Sequence, residues 1–124
     1  MTGTVDRALV IGSSIAGLLA ARALSEAYSE VIVLDRDELP YGPVARGGVP
    51  QIRHAHGLLA GGREAMEELL PGLTTDLVAA GAAAGDALES LHYYVGTGRY
   101  ATGTSGLTAV AVSRVLLEWT IRRR

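Results

Sequence analysis

Six consecutive residues near the N-terminus, Gly12-Ser13-Ser14-Ile15-Ala16-Gly17, carry the G-x-G-x-x-G layout with serine in the second glycine position. Each position has a physical task. Gly12 permits a tight strand-to-helix turn. The second position lets backbone N–H groups approach a pyrophosphate, and here the Ser14 hydroxyl adds a donor for a phosphate oxygen at some loss of clearance. Gly17 lets the helix lie against the strand with no Cβ between them. An anion held there meets unpaired N–H groups and the positive end of the helix dipole. Asp35 follows 23 residues after Gly12, close to the spacing of about 20 expected for an acid that accepts hydrogen bonds from an adenosine ribose. A carboxylate in that place repels a 2′-phosphate, which disfavours NADP and leaves FAD and NAD both open. Arg36, next to it, suits the adenine face, a phosphate or plain solvent.

The motif has meaning only between the right elements. Arg7–Ile11 (RALVI) is a short β-branched run that stops at Gly12, as a buried parallel strand does. From Ser14 to Glu26 the residues Ile15, Leu18, Leu19, Ala23 and Leu24 recur at helical spacing, and Val31–Leu34 (VIVL) is a second buried strand ending at Asp35. Strand, glycine turn, helix and strand within about 30 residues form a right-handed βαβ unit. Ala8–Ala23 also imitates a secretory leader, with an apolar stretch and small residues at its end. Asp6 before it, the interrupting glycines and serines, and the second strand favour the folded reading and a cytoplasmic setting.

The next stretch, Glu38–Pro50, holds Pro40, Gly42, Pro43, Gly47, Gly48 and Pro50 and reads as a loop. A helix is expected over His56–Leu70 and another over Thr74–Ala84, where alanine is plentiful. Leu91–Val95 and Arg99–Thr102 are expected to pair across Gly96-Thr97-Gly98, with Tyr93, Tyr94 and Tyr100 packing on the sheet. Leu107–Val112 is a further strand. Ser113 is an N-cap candidate for a last helix, Arg114–Arg124, whose terminal arginines suit a solvated helix end.

Composition narrows the class of function. The chain has 124 residues, 48% hydrophobic, and a net charge of -2, with arginine as its sole permanent cation and no cysteine. Disorder is excluded, as are a disulfide framework, a thiolate metal site and a cysteine nucleophile. The near-neutral balance argues against nucleic acid as a partner, and no uncharged run reaches the roughly 18 residues of a membrane span. His54 and His56 lack a third ligand nearby in sequence, and they read as polar loop residues with no metal or catalytic role.

Gly48-Val49-Pro50-Gln51-Ile52-Arg53-His54-Ala55-His56-Gly57-Leu58-Leu59 and the later Val112-Ser113-Arg114-Val115-Leu116-Leu117 resemble the N-terminal part of FAD-dependent monooxygenases. The nearest branch is the flavin epoxidases of polyether biosynthesis, with p-hydroxybenzoate hydroxylase and other single-component aromatic hydroxylases more distant. The resemblance spans essentially the whole chain. Its most specific piece is GVPQ-x-RHAHGLL, and its one departure is Ser13, where the family often has glycine.

The resemblance implies an α/β fold. It would be the N-terminal part of a Rossmann-like FAD-binding domain, with residues 1–36 the βαβ unit and 37–56 a cofactor-side loop. Residues 91–112 would be strands that join a substrate-side sheet. It implies FAD as cofactor, hydroxylation or epoxidation of a small organic substrate through a flavin peroxide, and NAD(P)H as electron donor in the full enzyme. It places Asp35 on the adenosine ribose, Arg36 near the adenine, Arg114 on the pyrophosphate or ribitol, and Arg46 and Gln51 on the flavin side. The family's chains are several times longer. The third parallel strand and a late Gly-Asp segment are missing from these 124 residues, so the sheet is expected to be incomplete, the isolated chain inactive, and its apolar edges prone to self-association. A stand-alone or NAD-type nucleotide-binding module, and an inactive truncated product, are the alternatives.

Overall fold

The computed structural model describes residues 6–124. A strand, β1 (Arg7–Ile11), leads through Gly12 into helix α1 (Ile15–Leu24) and then strand β2 (Glu30–Leu34). The two strands pair in parallel, Arg7 opposite Glu30 and Ile11 opposite Leu34. The expected βαβ unit is therefore present, with boundaries within two residues of the expected ones. One face of this pair packs under α1 through Val10. The other carries Leu9, Ile11, Ile32 and Leu34, all exposed, with Ile11 at 85%. Among the described residues no third strand joins the pair.

The chain then runs as a loop to a single 3-10 turn over Pro50–Arg53. Strand β3 (Ala55–Leu58), helices α2 (Ala60–Leu69) and α3 (Leu73–Ala79), and strand β4 (Ala83–Asp86) follow. After a two-residue hairpin of β5 (Tyr94–Val95) and β6 (Gly98–Arg99) come strand β7 (Thr108–Ser113) and helix α4 (Arg114–Arg122). Strands β3 and β4 both pair antiparallel with the central β7. The core lies between the inner face of this sheet and the helices. Val110 and Leu77 are fully buried in it, among Ile15, Leu70, Leu73, Leu117 and Ile121. Among the described residues no helix is long and apolar enough to cross a membrane.

Four expectations are corrected. His56–Leu58 is strand, because β7 lies within pairing distance: His56 sits opposite Val112 and Leu58 opposite Val110. The helix expected to reach Ala84 stops at Ala79, where Gly81 adopts a positive φ of 104° and turns the chain back onto β7. Local alanine propensity yields there to sheet pairing. The long hairpin shrinks to two residues a side, and Tyr93, Tyr94 and Tyr100 are exposed rather than packed. The terminal arginines are engaged: Arg122 donates to the Pro40 carbonyl, and its guanidinium lies 5.0 Å from the Trp119 ring centroid. Arg124 pairs with Asp76 at 2.6 Å. Of residues 91–112, those of β7 enter the three-stranded sheet, while β5 and β6 pair with each other alone.

Candidate functional site

The turn after β1 is built by two glycines. Gly12 has φ 96°, open to a residue without a Cβ, and its N–H donates to Leu34 O at 2.7 Å, extending the parallel ladder. Gly17 lies one helical turn on, and a Cβ there would fall inside the Gly12 carbonyl. That close approach seats the first turn of α1 on the end of β1. Ser14 is extended at the N-cap, with its carbonyl taking the first helical bond from Leu18 N at 2.9 Å. Its hydroxyl does not cap the helix; it accepts from Arg114 Nη2 at 2.7 Å. The first-turn amides of α1 are thus left without a side-chain cap among the described residues, with a guanidinium beside them.

Asp35 closes the same mouth. Its Oδ2 accepts from the Ser13 N–H and the Ser13 hydroxyl, both at 2.6 Å, and its Oδ1 accepts from the Asp37 N–H at 2.9 Å. Arg46 Nη1 lies 3.1 Å from Asp35 Oδ1 and 3.1 Å from Asp37 Oδ2, while Arg46 Nε donates to Glu118 Oε1 at 2.8 Å. Gly48 N–H completes the group on Asp37 Oδ2 at 2.7 Å. One guanidinium therefore ties the end of β2, the proline-rich loop and α4 together. The side chains of Arg46 and Glu118 are each only 5% exposed. Arg46 Nη2, Arg114 Nε and Glu118 Oε2 are buried with no hydrogen-bond partner among the described residues.

A cavity of about 430 Å³ opens on this cluster, lined by Ile11, Gly12, Ser14, Leu34, Asp35, Arg36, Arg46, Gly48 and Val49. Of the residues singled out from sequence, Gly12, Ser14, Asp35, Arg36 and Arg46 line it, Ser13 lies buried beneath it, and Arg114 reaches it through Ser14. Ile15 is in the core, Ala16 is exposed on α1, and Gln51 is exposed on the 3-10 turn away from the lining. A hollow of similar size between α3 and α4, beside Trp119 and Arg123, touches none of these residues.

Asp37 and Glu118 were missed in the sequence. Glu118 had a signal: it falls on the buried stripe of α4 with Leu117 and Ile121, where a carboxylate needs a partner. Asp37 had none.

The Ser13 hydroxyl, then the Asp37 and Ser13 amides, hold the Asp35 carboxyl well below the usual carboxylate range; desolvation opposes them and the Arg46 charge adds to them. Burial works against the Arg46 charge, but the bond to Glu118 and the surrounding carboxylates outweigh it and raise its pKa. A carboxyl depressed on folding adds stability that is complete above its unfolded pKa of about 3.9 and fades as pH falls below it. Asp35→Asn is therefore expected to be less stable than the native chain at pH 7, with the gap narrowing by pH 3. Urea unfolding at the two pH values measures this; a gap that stays constant would contradict it.

No family model matches the chain. The chain is similar to Protein Rv3254 of Mycobacterium tuberculosis (strain ATCC 25618 / H37Rv), 47% identical over 135 residues that include all of this chain. It spans 28% of that protein's length.

Proposed function

We propose that the chain is the adenosine-diphosphate-holding part of an FAD-binding domain, in a flavin-dependent monooxygenase or related oxidoreductase that hydroxylates or epoxidises an organic substrate. The observation that carries this reading is one cavity, lined by Gly12, Ser14 and Asp35 where the chain enters α1, with the Arg114 guanidinium held on the Ser14 hydroxyl beside it. Amides and guanidinium suit a diphosphate, and the carboxylate suits a ribose diol. When bound, the flavin supplies the oxygen chemistry; these residues bind and orient its nucleotide end.

The rest of the flavin pocket belongs, on this reading, to sequence of the kind that makes the relative longer, and NAD(P)H is the electron donor of the whole enzyme. The exposed face of Leu9, Ile11, Ile32 and Leu34 supports self-association of these 124 residues when they stand alone. A cytoplasmic setting is supported by the folding of the leader-like Ala8–Ala23 into β1 and α1.

Amide NMR of the labelled chain tests the reading. ADP at millimolar concentration is expected to shift Gly12, Ser13, Ser14 and Ile15 saturably, with AMP about tenfold weaker for want of the second phosphate. FAD is expected to shift the same amides and yet be lost on gel filtration. Unmoved amides at saturating ADP would refute the proposal.

A further inference from the structure

A carboxylate offers about four acceptor positions, and at Asp35 three accept hydrogen bonds while a paired guanidinium faces Oδ1 beside the third. Oδ2 accepts from the Ser13 N–H and the Ser13 hydroxyl, Oδ1 accepts from the Asp37 N–H, and Arg46 Nη1 forms an ion pair with Oδ1 at 3.1 Å. Two of these groups are backbone amides, fixed by the turn after β1 and the bend after β2. The third is a buried guanidinium already tied to Asp37 and Glu118. The Ser13 hydroxyl alone can leave by rotation about a single side-chain bond. A ribose diol brings donors of its own and needs acceptor positions on this carboxylate.

We propose that the Ser13 hydroxyl is a specificity-determining latch. It holds the Asp35 carboxylate through Oδ2, and it must turn away before that oxygen can accept a ribose hydroxyl. The inference rests on the adenosine-diphosphate reading of the preceding subsection and adds the residue that sets how strongly the diol is recognised. In the native chain the diol replaces a hydrogen bond that already exists, so the diol contributes little net affinity. At position 13 a side chain without a hydroxyl leaves one acceptor position vacant, and there the diol adds a charge-assisted bond, worth roughly tenfold in affinity.

The test compares the native chain with Ser13→Ala and Ser13→Gly, titrating ADP and 2′,3′-dideoxy-ADP against the Gly12–Ile15 amides. The native chain is expected to bind the two nucleotides within about twofold of each other. Ser13→Ala is expected to bind ADP roughly tenfold more tightly than the native chain, with its affinity for the dideoxy nucleotide unchanged. A general loosening of the site would move both nucleotides together. If the variants bind ADP no more tightly while the amide shifts persist, the latch is wrong and the nucleotide reading stands. If neither nucleotide shifts those amides in any chain, both fall. Should the substitutions fail to fold, the native chain alone decides: a tenfold preference for ADP over the dideoxy form overturns the latch.

Discussion

Arg46→Met is expected to destabilise the fold by about 3–5 kcal/mol at pH 7, the usual consequence of removing one partner from a buried ion-pair group. Methionine fills much of the arginine's volume, so the loss reports charge rather than a cavity. It leaves Asp35, Asp37 and the buried Glu118 facing one another with no counter-ion. A loss of that size is a large part of the 5–15 kcal/mol that holds a typical domain together. Arg46→Lys is expected to fall between, because a single ammonium does not reproduce the separate Nε contact with Glu118 and Nη1 contacts with Asp35 and Asp37. Urea denaturation followed by circular dichroism gives the values. A loss under 1 kcal/mol for Arg46→Met would mean that the cluster is not the tie between loop, β2 and α4.

Gly17→Ala is the second large effect. A Cβ at this position falls inside the Gly12 carbonyl, an atom fixed at the end of β1 by the Gly12 N–H bond to Leu34. Helix α1 must move away, at an expected cost of about 3 kcal/mol, the upper range for overpacking. The same movement tilts the first-turn amides, so ADP affinity is expected to fall at least tenfold. Gly61→Ala on α2 is the matched control, since its Cβ would meet nothing within 4 Å. There alanine is expected to stabilise by up to about 0.5 kcal/mol, less than in a helix interior because Gly61 lies in the first turn of α2. The two substitutions are chemically identical and opposite in expected sign. A Gly17→Ala chain as stable as the parent would remove the packing argument for the motif.

The parts legible in the sequence are those governed by local pattern. Arg7–Ile11, the helix after Ser14 and Val31–Leu34 have a period, a glycine turn and a terminal acid that agree with one another. Ser113 was also readable, and it accepts from Leu116 N at 3.3 Å at the start of α4. The strands at Ala55–Leu58 and Ala83–Asp86 were not readable, because four residues of small or ambiguous type become strand only by meeting β7 across 50 and 20 residues or so of chain. At the site, spacing pointed to Gly12, Ser14 and Asp35. It gave no sign that Arg46 would be enclosed by three carboxylates, two from the bend after β2 and one from α4, a contact that exists only after the loop folds over α4. Nor did it show that Ser13, which departs from the resembling family's glycine, would put its hydroxyl on Asp35.

The most direct test of the account is a crystal structure of the chain with ADP. The diphosphate is expected within hydrogen-bond distance of the first-turn amides of α1, with Arg114 turned toward it and a ribose hydroxyl on the Asp35 carboxylate. ADP bound elsewhere, with Asp35 still held by both Ser13 donors and nothing at the mouth of α1, would contradict it.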